Sequence, residues 1–299
     1  MAAVFVCGWR VGQGALWYNQ GMKEDGMQRQ DIQMAVIDLD ETLLHDDASI
    51  SAYTHEVLAR VRERGVRVVI ATGRMFCSAR QIGRSLGLGD VPLIAYSGGL
   101  IARCESGEIL YHQPLDLATA NEILALAREV AAPVQVYLHD RLLVPAYTPD
   151  VEAYERHCQV KAEVAGEAIW RLAAAPTKII FNEPDAVNMA RLAALFTERF
   201  GGRLTIVKSS AQFFEMVAPH VSKGIAAEQL ALRYGVDLAR TMAFGNAQND
   251  MSMLRAVGWP VAVANAIAPL REMARVIAPS NEEDGVAQVL AQAVLGEEQ

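Results

Sequence analysis

Apolar and polar positions alternate along the chain in a pattern that predicts strands and helices in turn. From Met34 a short apolar run precedes a helical period over 51–65. Another apolar run at 66–71, a second helical period over 75–87 and a third apolar run at 91–96 follow. Apolar runs alternating with helices of this length are typical of right-handed βαβ units, whose parallel sheet is covered on both faces.

The same rhythm returns in the last third of the sequence. Helices are predicted at 222–235, 249–258, 268–274 and 284–295, and strands at 241–245, 259–264 and 274–279. Together with the early segment, these elements predict an α/β fold with a doubly wound parallel sheet.

The middle of the chain has a different pattern. Residues 133–146 predict a β-hairpin and residues 203–218 a second strand pair, with a helix over 185–202 between them. Antiparallel pairs combined with helices indicate an inserted α+β domain.

These patterns predict three parts of the chain. We expect a catalytic core at 34–100 and 215–299, an inserted α+β cap domain at 101–214, and a disordered N-terminal tail at 1–33.

Composition narrows the class of partner. The chain has 299 residues, 52% hydrophobic and 21% charged, with a net charge of −8, and its 27 Lys and Arg residues are scattered. A nucleic-acid surface would need clustered basic residues, so no nucleic-acid partner is expected. Four cysteines without CxxC spacing predict free thiols in a reducing compartment. No apolar run approaches the roughly 18 residues of a membrane span, and the start lacks signal-peptide order, so a cytoplasmic protein without a membrane partner is expected.

Polar residues at the carboxyl ends of parallel strands lie at one edge of the sheet, where ligands bind. Four segments fit this position: 38–42 (DLDET), 71–74 (ATGR), 221–224 (VSKG) and 245–250 (GNAQND). Together they supply paired carboxylates, a hydroxyl, a cation and oxygen ligands for a metal, a set that suits phosphoryl transfer.

Asp38 and Asp40 are the candidates for nucleophile and general acid/base. Their spacing lets one carboxylate reach a metal and an incoming phosphoryl group while the other turns toward the leaving oxygen. The alternative is that both are turn or cap residues at a strand end. A calcium loop fits less well, because Leu43 occupies the position where the tight turn requires glycine.

The other candidates also have simpler interpretations. Thr72 could cap the following helix, and Lys223 could be a solvated lysine in a first helical turn. Asn249 and Asp250 could be an ordinary helix N-terminus.

In this order and spacing, the four segments resemble the motifs of haloacid dehalogenase-type phosphatases. Segments 262–266 (AVANA) and 280–287 (SNEEDGVA) are similar to late segments of the Cof-type subfamily, whose cap is inserted between the second and third motifs. The resemblance covers essentially everything from Met34 onward.

This resemblance implies a role for each candidate. Asp38 is the implied nucleophile and Asp40 the acid/base. The implied phosphate-binding residues are Thr72, Gly73 and Lys223, and the implied Mg²⁺ ligands are Asp38, Asp40 through its main-chain oxygen, Asn246 and Asp250, supported by Asn249. The implied substrate is a small phosphorylated metabolite such as a sugar phosphate, with the insert closing over it.

Three residues depart from the family pattern. Asn246 replaces a metal-side aspartate, so weaker magnesium binding is expected. Glu41 stands where glycine is commonest, which we expect to alter only the loop surface. Ser97 replaces a frequent asparagine and leaves one phosphate-side contact in question.

Three other functions are considered. Asn246 favours a catalytically weakened phosphometabolite-binding or regulatory protein, and a sugar phosphomutase or phosphotransferase would share the aspartyl-phosphate. Ser97 loosely resembles the nucleophile of a serine hydrolase, but the first glycine of GxSxG is missing. The sequence assigns no role to Tyr137, His139, Arg141 or Lys178, and it does not indicate the oligomeric state.

Overall fold

The computed structural model describes residues 10–11, 17–18, 31–208 and 212–297. Contacts divide the chain into two compact units. The first contains the described residues up to Val69 and those from Ala227 onward, and the second is Ile70–Ala226.

The described residues form sixteen strands and nine α-helices. The strands are Arg10–Val11 (β1), Trp17–Tyr18 (β2), Met34–Ile37 (β3), Arg67–Ile70 (β4), Pro92–Ala95 (β5), Leu100–Arg103 (β6), Ile109–His112 (β7), Val134–Leu138 (β8), Arg141–Val144 (β9), Ala162–Val164 (β10), Lys178–Asn182 (β11), Thr205–Lys208 (β12), Phe213–Val217 (β13), Thr241–Gly245 (β14), Trp259–Val263 (β15) and Val276–Ala278 (β16). The helices are Ala52–Glu63 (α1), Phe76–Ser85 (α2), Leu117–Glu129 (α3), Pro149–Cys158 (α4), Ala186–Phe200 (α5), Lys223–Tyr234 (α6), Met251–Ala256 (α7), Ala268–Met273 (α8) and Gly285–Leu290 (α9).

The first unit is built on a seven-stranded sheet in the order β1-β2-β16-β15-β14-β3-β4. Strand β14 pairs in parallel with β3 and β15, and β15 pairs in parallel with β16. All four residues of β3 are buried, as expected of a central strand covered on both faces. Phe244 on β14 is in register with both Ile37 and Val261, so these strands end at one edge.

Sequence accounts for where several helices begin. Helix α1 starts after Ser51, whose hydroxyl accepts from the Thr54 amide, and α5 starts after Asp185, whose carboxylate accepts from the Asn188 amide. These helices, the strands and the parallel sheet confirm the predicted α/β fold class of a doubly wound core with an inserted α+β domain.

The second unit contains a six-stranded sheet in the order β10-β9-β8-β11-β13-β12. The predicted hairpin is β8–β9 and the predicted strand pair is β12–β13, both antiparallel. The core of this unit includes Phe181 on β11 and Phe196 on α5, whose rings pack edge to face with their centroids 4.6 Å apart. Aromatic burial of this kind is a large part of the stability of a domain core.

Strand β5 differs from its predicted place in the parallel sheet. It pairs antiparallel with β6, which pairs with β7, and its link to the preceding segment is a single parallel bridge between Ala71 and Ile94. A buried apolar run does not identify its own partner. Residues 70–100 and 215–226 therefore lie in the second unit, whereas the boundaries 101–214 for the cap remain a prediction.

The predicted N-terminal tail lies mostly outside the described residues. Within 1–33, β1 and β2 pair antiparallel, and β2 pairs antiparallel with β16.

Two expectations from composition concern the described residues. Cys77, Cys104 and Cys158 are free thiols, and Cys7 lies outside the described residues. No helix in the described part of the chain is long and apolar enough to cross a membrane.

Candidate active site

The chain turns sharply after β3, at the first predicted motif. The Asp38 amide still donates to the carbonyl oxygen of Phe244 at 3.1 Å, so this residue remains tied to the sheet. The Asp38 side chain is buried, and its Oδ2 accepts from the Thr42 hydroxyl at 3.1 Å. Asp40 has extended backbone, and Glu41 takes a left-handed φ of 54°. A carboxylate is thereby fixed at the end of a central strand, with a second acid two residues later.

Asn246 follows β14, beside this turn. Its Oδ1 accepts from the Thr42 hydroxyl at 3.3 Å, the same hydroxyl that contacts Asp38. Since one hydroxyl carries one proton, Thr42 donates to one of these oxygens at a time. The side-chain oxygens of Asp38 and Asn246 are therefore neighbours within hydrogen-bond reach of one group.

Asp250 is fully buried and shapes the loop that carries Asn246. Its Oδ2 accepts from the main-chain amides of Asn246 and Ala247, each at 3.0 Å. Gly245 permits this approach, because a Cβ on residue 245 would lie 2.5 Å from the Cβ of Asp250. Asp250 thus shapes the N-terminus of the following helix, as one of its sequence interpretations predicted, and it does so through its Oδ2.

Glu41 does more than alter the loop surface, so that expectation was wrong. Its Oε2 accepts from Nδ2 of Asn246 at 3.2 Å, and its main-chain oxygen accepts from Nδ2 of Asn265 at 2.8 Å. Asn265 in turn accepts from the Asn281 amide at 3.3 Å. Asn265 and Asn281 were not singled out from sequence, although both lie in the late segments that carry the family resemblance.

The oxygen atoms that the first unit offers as ligands suit a hard divalent cation. They are the carboxylates of Asp38 and Asp250, the amide oxygen of Asn246 and the main-chain oxygen of Asp40. The neighbouring Asn249 Oδ1 is buried without a hydrogen-bond partner among the described residues, as an oxygen that awaits a cation or its water would be.

Between residues 31 and 297, as far as they are described, no three His, Cys, Asp or Glu side chains converge on a metal position. Residue 246 is a neutral asparagine where the resembled family pattern has an aspartate, so this loop contributes one acidic side chain fewer. Two carboxylates with neutral oxygens and water remain an adequate ligand set for magnesium.

The Thr72 loop lies in the second unit. The hydroxyl oxygen of Thr72 accepts from the Arg74 amide at 3.1 Å, and Thr72 is fully buried. Helix α2 begins only at Phe76, with Met75 as its cap, so the interpretation of Thr72 as a helix cap was wrong. Because its oxygen already accepts a hydrogen bond, the Thr72 hydroxyl can direct its proton to another acceptor.

Lys223 is the first residue of α6 and is fully buried, which contradicts its interpretation as a solvated lysine. A Cβ on Gly98 would lie 2.3 Å from the carbonyl oxygen of Ser222 and 3.2 Å from the amide of Lys223. The amide of Ser97 donates to the carbonyl oxygen of Thr72 at 3.0 Å. The loop after β5 thus lies against both predicted phosphate-binding segments of this unit.

A buried charged network in the second unit was not identified from sequence. Lys178 on β11 and Glu215 on β13 form an ion pair at 3.3 Å, and Ser97 donates to Glu215 at 3.1 Å. Lys178 also donates to the carbonyl oxygen of Gly73 at 2.7 Å. A single charged residue in each of two mostly apolar strands was the signal available in the sequence. Because the Ser97 hydroxyl faces a carboxylate, the serine hydrolase hypothesis receives no support.

A cavity of about 470 Å³ lies within the second unit. It is lined by Met75, Cys77, Gln81, Asp140, Arg141, Glu155, Arg156, Gln159, Val160, Lys161 and Glu163. Its charged side chains are largely paired with one another, as in the ion pairs Arg141–Glu163 and Lys161–Glu155. Burial, reinforced by the charge of Asp140, raises the pKa of the Cys77 thiol to about 11, so this thiol is protonated at neutral pH.

The predicted site residues therefore form two groups. Asp38, Asp40, Asn246, Asn249 and Asp250 belong to the first unit, and hydrogen bonds through Thr42 and the 246–250 loop connect Asp38, Asn246 and Asp250. Thr72, Gly73 and Lys223 belong to the second unit and lie around the loop after β5.

Comparison with known proteins identifies the family. The family profile of haloacid dehalogenase-like hydrolases matches residues 35–290. A Streptococcus pyogenes protein, whose name assigns it provisionally to the phosphatases, is 29% identical over 278 residues, covering 88% of this chain and 99% of its own. The HMP-PP phosphatase of Citrobacter koseri is 29% identical over 238 residues, covering 79% of this chain and 86% of its own.

A solved structure agrees with these matches. The crystal structure of a haloacid dehalogenase-like hydrolase from Bacteroides thetaiotaomicron superposes with a TM-score of 0.80 at 25% identity, covering 87% of this chain and 99% of that one. The family match extends over most of the chain and includes all four sequence motifs. The chain therefore belongs to the haloacid dehalogenase-like hydrolases and is a phosphatase of the Cof type.

Proposed function

We propose that the protein is a magnesium-dependent phosphohydrolase that cleaves a phosphate monoester of a small metabolite through an aspartyl-phosphate on Asp38. One observation supports this assignment above the others. The buried Asp38 carboxylate at the end of β3 shares the Thr42 hydroxyl with Asn246, which brings a fixed carboxylate beside a further oxygen ligand.

Two displacement steps divide the work between Asp38 and Asp40. In the first, an Asp38 oxygen attacks phosphorus, the bond from phosphorus to the ester oxygen breaks, and Asp40 donates a proton to the departing alcohol. In the second, Asp40 takes a proton from water as that water attacks phosphorus. The bond to Asp38 then breaks, which releases inorganic phosphate and restores both carboxyl groups.

Magnesium would be held by Asp38, the main-chain oxygen of Asp40, Asn246 and Asp250, with water completing the set. When bound, it would offset the charge of two anions brought together. Asn249 supports the same group through its buried side-chain oxygen, which has no hydrogen-bond partner among the described residues.

The transferred phosphoryl group would be bound by Thr72, Gly73 and Lys223. Lys223 is fully buried, and its ammonium group would supply a positive charge and hydrogen-bond donors to phosphate oxygens. The Thr72 hydroxyl accepts from the Arg74 amide, which leaves its proton for a phosphate oxygen.

The substrate would be a small phosphorylated metabolite, with the inserted domain excluding water and selecting the leaving group. The relative named HMP-PP phosphatase supports an organic phosphate of metabolite size. A panel of sugar phosphates and HMP-PP is the appropriate first set of substrates.

Acid quenching followed by mass spectrometry tests the covalent step. During turnover of p-nitrophenyl phosphate, Asp40→Asn should accumulate a phosphoryl group on the peptide that contains Asp38. The p-nitrophenolate leaving group departs with little help from an acid, so the first step continues, whereas hydrolysis of the aspartyl-phosphate lacks Asp40 as its base. Asp38→Asn should carry none. Phosphorylation elsewhere, or steady turnover by Asp38→Asn, would contradict the mechanism. Release of inorganic phosphate, in place of transfer to an added sugar, separates hydrolysis from phosphotransfer.

A further inference from the structure

The Lys178–Glu215 pair occupies an unusual environment. The two side chains are only 2% and 4% exposed, and both belong to strands whose other residues are mostly apolar. The ammonium group also lies 4.8 Å from the centroid of the Tyr137 ring. Replacing a buried ion pair by apolar residues of similar size often leaves stability unchanged or raises it, so stability is a weak reason for such a pair.

The contact with Gly73 points to a role. Lys178 donates to the carbonyl oxygen of Gly73, and this carbonyl belongs to the same peptide group as the amide of Arg74. That amide donates to the hydroxyl oxygen of Thr72. Because a peptide group is planar and rigid, fixing its carbonyl also fixes the direction of its N–H.

Further hydrogen bonds hold the same segment, which runs from Thr72 to Arg74. The amides of Tyr96 and Ser97 donate to the carbonyl oxygens of Arg74 and Thr72, each at 3.0 Å. Ser97 also donates through its hydroxyl to Glu215, the partner of Lys178. The network thus connects the six-stranded sheet to the loop that contains Thr72 and to the loop after β5.

We propose that Lys178 and Glu215 are positioning residues for the phosphate-binding hydroxyl of Thr72, an inference that rests on the proposed function. Glu215 holds the Lys178 ammonium, and Lys178 fixes the Gly73–Arg74 peptide. The N–H of this peptide then donates to the hydroxyl oxygen of Thr72. The Thr72 proton is then directed to the transferring phosphoryl group. Polarisation along such a chain strengthens each successive hydrogen bond.

Replacing both charges together separates positioning from stability. Lys178→Met alone leaves Glu215 buried without its cation and should lower the unfolding temperature by roughly 10 °C. The double variant Lys178→Met/Glu215→Leu should recover most of that loss, because neither charge remains buried. Inorganic phosphate binding, measured by calorimetry at fixed magnesium, should nevertheless stay weaker by roughly tenfold or more in both variants, since the peptide beside Thr72 is no longer held.

Phe196→Leu provides the matched control. It truncates a fully buried ring in a core cluster of the same unit that contains no residue of the Thr72 loop, and it should lower the unfolding temperature without changing phosphate affinity. If the double variant does not fold, Ser97→Ala replaces it, because loss of one hydroxyl loosens Glu215 at little structural cost. We expect a roughly threefold or larger loss of phosphate affinity in Ser97→Ala.

A stable double variant, or a Ser97→Ala protein in its place, that binds phosphate as tightly as the wild type would overturn the inference alone. Failure of the wild-type protein to bind phosphate or to hydrolyse p-nitrophenyl phosphate would overturn the proposed function, and this inference with it.

Discussion

Nδ2 of Asn246 donates to Oε2 of Glu41 at 3.2 Å, so the two residues that depart from the family pattern beside the proposed metal site contact each other. The amide of Asn246 faces the Thr42 hydroxyl with its oxygen and the Glu41 carboxylate with its nitrogen. A negative charge missing from residue 246 is therefore present one side chain away, on Glu41.

This contact modifies the expected effect of restoring an aspartate. Asn246→Asp should lower the magnesium concentration for half-maximal activity, because it adds a carboxylate ligand. The gain should be small while Glu41 is present, since two carboxylates would then face each other, and several-fold larger in Glu41→Gln/Asn246→Asp. Magnesium titration of activity and calorimetric magnesium binding measure both effects.

Glu41→Gln alone is the control for this double-mutant cycle. Equal gains from Asn246→Asp in the presence and absence of Glu41 would show that the two residues are not coupled. A raised magnesium requirement in both backgrounds would remove residue 246 from the metal site.

Residue 245 must be glycine because the Asp250 side chain lies against its backbone. Gly245→Ala would place a methyl group 2.5 Å from the Asp250 Cβ, with no flexible side-chain end to move aside, so it should destabilise the protein by about 1–3 kcal/mol and reduce activity strongly. Gly202→Ala is the matched control, because nothing lies within 4 Å of a Cβ there. Chemical denaturation and turnover should distinguish them, and equal behaviour of the two variants would contradict the geometry of the 245–250 loop.

Glu155 should make stability depend on pH in the acid range. The Ala162 amide donates to its Oε1 at 2.7 Å, and this bond, with further donation from Lys161 and Tyr147, lowers the pKa of the Glu155 carboxyl below 4.5. The stabilisation is therefore present above pH 4.5 and is lost as the pH falls through the lowered pKa.

Glu155→Gln should lower the unfolding temperature at pH 7 by about 2–6 °C and have a smaller effect at pH 3, because the stabilisation from the Glu155 carboxylate is lost as the pH falls toward its lowered pKa. Glu152→Gln, an exposed position on the same helix, should change little at either pH. A loss in Glu155→Gln that is the same at both pH values would contradict this assignment.

Much of the fold could be predicted because local pattern and tertiary burial agree. The apolar run that became β3 is buried at every residue, and the helical periods that became α1 and α5 begin at Ser51 and Asp185 caps. The partner of β5 could not be predicted in this way. Its apolar run is equally compatible with a parallel or an antiparallel neighbour, and only the pairing with β6 decides between them.

The site residues also divide into those that the sequence indicates and those that only the structure shows. Residue type and strand-end position were enough to select Asp38 and Asp250, and the family resemblance added Asn246. Hydrogen bonds through Thr42 and the 246–250 loop connect these three residues. The contact of Lys178 with Gly73 joins residues 105 positions apart in sequence. It depends on the register of the six-stranded sheet, which local pattern does not specify, so the sequence alone assigns no role to Lys178.

Hydrolysis of p-nitrophenyl phosphate by wild type and Asp38→Asn, with and without magnesium, shows whether Asp38 is the nucleophile of a magnesium-dependent phosphatase. We expect turnover by the wild type that requires magnesium, and a loss of at least about 10³-fold in folded Asp38→Asn, because the attacking carboxylate is gone. Comparable turnover by Asp38→Asn would exclude Asp38 as the nucleophile, and wild-type turnover unaffected by removing magnesium would exclude the metal.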